Sequence, residues 1–303
     1  MKEFIKYLEK KDLAKITQDR YLRNVKNFFK WAKMEAEQVT KPDVLRYLEY
    51  LKNDKGHKNT SRKLYLNALN HYFTYLLKTE QISKNPCYLL KIRGTKQRTL
   101  YKIYTPEELD ELFDNYYNVF VRNFDSNRQK YNYQRQGAEL YRERNALVLN
   151  ILVNQGATTG EVEKLEISDL DLIKATLKVQ GGQHSNERTI PLKATQIGLI
   201  INYLQNIRPQ MLDLPESNNS KLINKGSFRH ICNCITKQLK TIDRQFINVQ
   251  QIRASVITNW LKIHGLRKTQ YLAGHKHVTS TETYLSNNLD NLIDDINKMH
   301  PFL

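Results

Sequence analysis

Apolar residues recur at helical spacing through residues 1–90. In TQDRYLRNVKNFFKWAKM, Tyr21, Leu22, Val25, Phe28, Phe29 and Ala32 form one stripe, with Thr17 as a candidate cap. KPDVLRYLEYLKN places Pro42 in a first turn and carries Val44, Leu45, Leu48 and Leu51. TSRKLYLNALNHYFTYLLKTE follows, with Thr60 or Ser61 as cap and Leu64, Leu66, Leu69, Tyr72, Phe73, Leu76 and Leu77 on its apolar side. With the amphipathic MKEFIKYLEKKDLAK at the start, these segments predict a four-helix bundle over residues 1–90.

The pattern then breaks. Residues 91–103 are basic and aperiodic, which predicts an interdomain linker. TPEEL restarts a helix, with Thr105 as cap, Pro106 in the first position and Glu108 three residues after the cap. Residues 115–142, rich in Tyr, Asn, Arg and Gln, fit either a helix extension or an inserted loop. ERNALVLNILVNQGA predicts a buried helix. TLKVQ and RTIPL, separated by Gly181 and Gly182, predict a hairpin. Further helices are expected in KATQIGLIINYLQNIRPQM, SFRHICNCITKQLKTI, QQIRASVITNWLKIHG and LRKTQYLAGH. Residues 104–303 thus read as a second, mainly helical domain with a small sheet.

Charge adds a partner to this picture. The chain of 303 residues carries +17. Residues 1–98 hold 23 Lys+Arg against 10 Asp+Glu, a net +13. A basic folded domain with interleaved aromatics points to a polyanion, most commonly nucleic acid. No apolar run reaches the ~18 residues of a membrane span, and the N-terminus lacks an apolar signal region, so a cytoplasmic location is expected. Cys87, Cys232 and Cys234 complete neither a zinc site nor a disulfide framework and are expected to be reduced. Walker-type, HExxH and GxSxG motifs are absent, and no metal or cofactor is implied.

Six segments in order carry a resemblance. They are TQDRYLRNVKNFFKW, TSRKLYLNALNHYFTYLLKTEQISKNP, LVNQGATTGEVEKLEISDLDL, NERTIPL, QQIRAS and LAGHKHVTSTETYL. Together they resemble the tyrosine recombinase, or phage integrase, family over nearly the whole chain. The resemblance implies an α+β fold, mainly α with a small β-sheet: a helical SAM-like core-binding domain, then a catalytic domain. It also implies a tyrosine that attacks a DNA phosphodiester, forming a 3′-phosphotyrosyl bond and releasing a 5′-hydroxyl. Guanidiniums suit the growing phosphoryl charge, and an acid must protonate the leaving oxygen.

Residue by residue, Tyr284 matches the nucleophile, nine positions after His275. His275 matches a phosphate-contacting histidine, and Arg253 the second arginine of the family set. The remaining family positions carry neutral residues. Thr158 stands where the first arginine belongs, Gln183 near the hairpin lysine, and Gln250 at the histidine three residues before Arg253. Each can still donate a hydrogen bond, but none brings charge. His184, Arg188 and Lys276, with His277, are nearby cations that could compensate. Glu161 and Asp169 match acidic positions that the family keeps for structure.

The resemblance further implies a clamp around double-stranded DNA. Lys58, Arg62 and Lys63 would meet backbone phosphates at a helix start. Leu289, Leu292, Ile293 and Ile296 predict a tail helix that docks on a neighbouring protomer, which suggests a homo-oligomer up to a tetramer on DNA. Two activities fit: site-specific recombination through Tyr284, or DNA binding by a protein of this fold that has lost efficient cleavage.

Overall fold

A computed structural model describes residues 1–94, 101–123, 132–183, 185–212, 220–223 and 226–285. The chain divides into two compact units, Met1–Thr99 and Leu100–Leu303. The division falls within residues 91–103, of which 95–100 lie outside the described residues.

Among its described residues the first unit has four α-helices: α1 (Lys2–Glu9), α2 (Lys15–Ala32), α3 (Lys41–Asn53) and α4 (Asn59–Lys78). Their apolar stripes meet around Phe28, which packs edge-on against Tyr47 at 5.1 Å and Phe73 at 6.3 Å between ring centroids. Edge-to-face pairs of this kind add to the burial of large rings. Leu48, Leu51, Leu66, Leu69 and Leu76 complete the core.

Two helix starts differ from the sequence expectation. Ala14, not Thr17, is the first cap, because the N–H of Thr17 already bonds Ala14 O at 2.8 Å inside the first turn. Lys58 caps α4, which places Thr60 and Ser61 within the helix. The Asn59 side chain takes over local bonding there, accepting from Arg62 at 3.1 Å and donating to Arg93 O at 3.0 Å.

In the second unit, α5 (Pro106–Tyr117) starts in the expected capping box of Thr105 and Glu108 and runs into a π-helical turn, Asn118–Arg122. The ambiguous 115–142 stretch is thus helical on both sides of residues 124–131, which lie outside the described residues. Helix α6 (Asn132–Gln155) buries Ala146, Leu147, Val148, Leu149, Ile151, Leu152 and Val153. A helix apolar on all sides must sit centrally, and here α5, α7 (Thr159–Lys164), α8 (Ala194–Asn202), α9 (Arg208–Leu212), α10 (Phe228–Ile242) and α11 (Val249–Ala273) all touch it.

The expected hairpin has a third strand. β1 (Leu170–Asp171), β2 (Thr176–Val179) and β3 (Arg188–Pro191) form an antiparallel sheet in that order, with Leu177 opposite Ile190 and Val179 opposite Arg188. Strand alternation turns Leu177, Val179, Arg188 and Ile190 inward.

The two predicted helices of residues 250–275 are joined as α11 with a break at Gly265, whose φ of 70° is non-helical. α11 ends at Gly274 in the left-handed conformation, and α12 (Val278–Glu282) follows. One face of α11 is polar yet buried, for a local reason. Gln251, Ser255 and Asn259, one turn apart, bond Lys102 O, Tyr104 N and Tyr104 O at 3.0, 3.0 and 2.9 Å. They satisfy the extended backbone that leads into α5. The adjacent residues Ile252 and Val256 join the apolar core.

Candidate active site

Arg253 projects from the second turn of α11 and is mostly buried. Its Nη1 donates to Gly156 O, and its Nη2 donates to Ala273 O at 2.9 Å. Gly156 has a φ of 52°, and a Cβ there would lie 2.9 Å from Val256 Cγ1. Only glycine lets this loop approach α11 closely enough to offer its carbonyl.

His275 follows the α11 C-cap. Its Nε2 lies 3.2 Å from Arg253 Nη2, and its Nδ1 lies 2.9 Å from Thr281 Oγ1. The Tyr284 ring lies parallel to the imidazole, 5.8 Å away between centroids. Tyr284 also reaches the surroundings of Arg253. Burial lowers the guanidinium's pKa, while Glu161 and Tyr284 pull it back up. Tyr284, Arg253 and His275 are therefore brought together by α11, its capping turn and the short helix α12.

Glu161 organises the charge. Burial opposes its ionisation, but Arg188, the Thr158 N–H and Arg253 outweigh burial and hold its pKa at about 2. Arg188 grips it with two nitrogens, at 2.8 and 3.1 Å. Arg253 lies 3.8 Å from the same carboxylate. Glu161 also closes a capping box, accepting from Thr158 N at 2.7 Å and donating its own N–H to Thr158 Oγ1 at 3.2 Å.

Of the candidate compensating cations, Arg188 departs from the expectation of a free cation near the site. The Arg188 side chain is fully buried (0% exposed), so it is neither solvated nor turned toward DNA. Strand alternation points it inward, its charge is matched by Glu161, and its Nε donates to Leu272 O at 2.7 Å. A Cβ on Gly274 would fall 2.3 Å from its Nη1, which explains the glycine of the Gly-His pair. Lys276 is exposed beside His275. His184 lies outside the described residues.

The three substituted positions are all solvent-facing. Thr158 spends its hydroxyl on the α7 cap. Gln250 lies in the first turn of α11, near the Tyr101 hydroxyl at 3.4 Å. Gln183 sits at the hairpin tip, next to Gly182 and Ser185, which pair with each other. The tip is sewn to the His275 turn by the Ser185–His275 bridge and by Asn186 N donating to Gly274 O at 2.8 Å. Arg188 and Glu161 cancel, so Arg253 is the buried charge left to face an anion.

His275 is a poor base in this setting. Burial, Arg253 and Arg188 push its pKa down to about 4, against a smaller lift from Glu161. A pH effect on stability follows. Below 6.5 the unfolded chain binds a proton at this residue that the folded chain refuses, so stability falls as pH drops from 6.5 to about 4. Glu161, held near 2, extends the loss below its ordinary 4.5. His275→Asn is expected to flatten the upper part of this curve alone, read as the urea midpoint against pH.

Residues 131–290 match the family described as "Phage integrase family", and residues 1–83 match "Phage integrase, N-terminal SAM-like domain". The chain belongs to the phage integrase, or tyrosine recombinase, family. Relatives named tyrosine recombinase XerC, from Natranaerobius thermophilus and Listeria innocua, are each 26% identical, covering 99% of this chain and 97% of theirs. Among solved structures, a XerH recombinase on its difH substrate has a TM-score of 0.67 at 18% identity, over 92% of this chain and 79% of its own. A lambda integrase fragment, residues 75–356, has 0.65 at 14% identity, over 95% and 94%. These two likenesses show the fold.

Sequence reasoning gave no chemistry to Glu161 and passed over Thr281. The signal for Thr281 lies in TSTETY, a buried hydroxyl three residues before the tyrosine. No helix among the described residues is long and apolar enough to cross a membrane.

Proposed function

We propose that this protein is a site-specific DNA strand transferase that cleaves through Tyr284 without metal or ATP. The observation that carries the reading is the convergence of Tyr284 and His275 on one mostly buried cation, Arg253. Tyr284 Oη attacks a phosphodiester phosphorus and releases its hydroxyl proton. The P–O bond to the 5′ oxygen breaks, a 3′-phosphotyrosyl ester forms, and the leaving oxygen takes a proton. Attack by the hydroxyl of another strand reverses the step, so bond energy is conserved. Arg253 stabilises the phosphoryl oxygens, and its fork is preorganised by Gly156 O and Ala273 O.

The basic first unit supplies the DNA grip. Lys58 and Lys63 are exposed at the start of α4, whereas Arg62 is half-buried and donates to Leu48 O at 2.9 Å. Arg62 therefore fixes the helix start, and the two lysines meet phosphate. Solved relatives by fold include a lambda integrase dimer on a core site and a tetramer on a Holliday junction. We extend such assembly to this chain, as a homo-oligomer of up to four copies on double-stranded DNA. The tail residues Leu289 to Ile296, expected to dock between copies, lie outside the described residues.

A second reading has its own observation. Thr158, Gln183 and Gln250 supply no cation, and Arg188 is neutralised by Glu161. Each missing preorganised donor typically costs ~10²–10³ in rate, though such losses need not multiply. A slow or cleavage-deficient DNA binder fits that deficit.

Covalent trapping separates the two. Genomic fragments captured by the protein are nicked and incubated with wild type and Tyr284→Phe. Strand transfer predicts SDS-resistant adducts with wild type and none with the variant, while both bind DNA equally. Equal binding with no adduct from either protein favours the second reading.

A further inference from the structure

Thr281 is wholly buried on α12, and its hydroxyl has a single hydrogen-bond partner among the described residues, His275 Nδ1 at 2.9 Å. The other ring nitrogen faces Arg253 Nη2 at 3.2 Å. A guanidinium only donates. Nε2 must therefore offer its lone pair, and the ring proton sits on Nδ1, where Thr281 Oγ1 accepts it. The tautomer follows from the partners. Because burial and the neighbouring guanidiniums hold the ring neutral near pH 7, the position of one proton, and not a charge, is what Thr281 can govern.

That tautomer is the wrong one for contacting a phosphoryl oxygen. Such a contact needs N–H on Nε2, the nitrogen that shares the site with Arg253. A carbonyl or carboxylate beside Nδ1 would accept only and would lock the proton there. A hydroxyl both donates and accepts, and rotates freely to do either. When a phosphate occupies the guanidinium, Nε2 loses its donor partner. One proton can then leave Nδ1 to water and one reach Nε2 from water, with no net uptake. Thr281 turns its O–H toward the bared Nδ1.

We propose that Thr281 is a positioning residue that lets His275 carry its proton on Nδ1 in the free protein and on Nε2 when a phosphodiester fills the site. The second half of this statement rests on the strand-transfer reading above; the first half does not.

Full-length protein labelled with ¹⁵N-histidine tests it by long-range proton–nitrogen NMR at pH 7, with the His275 signals assigned by their loss in His275→Asn. Wild type is expected to show protonated Nδ1 and bare Nε2. Thr281→Ser keeps that signature. Thr281→Val, of similar shape but without the hydroxyl, keeps the tautomer that Arg253 imposes but leaves Nδ1–H without its acceptor, which moves the Nδ1 proton resonance upfield. Partners that fix a histidine ring are worth ~10–100-fold in the metal sites where they are best measured. Adduct formation should fall by that order in Thr281→Val and recover in Thr281→Ser.

A wild-type ring protonated on Nε2 would overturn the proposal without recourse to any variant. So would an Nδ1 proton resonance, or a rate of adduct formation, that Thr281→Val leaves unchanged. The expected shifts together with no adduct from wild type would uphold the free-protein tautomer and remove the strand-transfer reading instead.

Discussion

Glu161→Ala is expected to destabilise the second unit by about 3–5 kcal/mol, the magnitude for removing one partner of a buried ion pair. Arg188 would remain fully buried with its charge unmatched, and the α7 cap would lose its reciprocal bond. Trp260 lies in this unit and Trp31 in the other, so urea unfolding followed by fluorescence in a Trp31→Phe background isolates the effect. The sharper result is the double variant. Glu161→Gln with Arg188→Met removes both charges, and should be more stable than the sum of the single losses predicts, because the cost lies in the orphaned charge. Additive losses would mean that Arg188 is held by packing and by Leu272 O, not by Glu161.

Arg253→Lys is expected to slow adduct formation by ~10²–10³ or more, with DNA affinity changed little. The charge survives, but the fork does not. An ammonium cannot bond Gly156 O and Ala273 O at once and still face the His275 ring. Single-turnover kinetics on a nicked substrate, beside a salt titration of binding, checks both halves. A rate within a few-fold of wild type would mean that charge alone suffices and that the fork geometry is incidental.

Much of this molecule is legible in its sequence. Helical periodicity locates α2 to α4 and α10, because each buries one continuous apolar face, and an unbroken apolar run locates α6. The ordered boxes place Tyr284, His275 and Arg253, and the structure brings these residues together. What pattern misses is pairing. Arg188 stands two residues before Ile190 on one strand, so alternation alone marks it as inward-facing, yet a charged residue invites a surface reading. Its partner is 27 positions away in sequence, on a different element, and nothing local announces it. The polar face Gln251, Ser255 and Asn259 is hidden for the same reason, since its partners are backbone groups of residues 102–104. The helix caps shift at α2 and α4 because a hydroxyl residue inside a first turn looks like one at its boundary.

The central claim is that Tyr284 forms the covalent bond. The most direct test is to trap the protein on nicked DNA, digest with nuclease and trypsin, and map the nucleotide by mass spectrometry. The account predicts a nucleotide joined through its 3′-phosphate to the peptide of residues 277–298, on Tyr284. Linkage to another of the 18 tyrosines, or full DNA binding with no nucleotide on any of them, would contradict it.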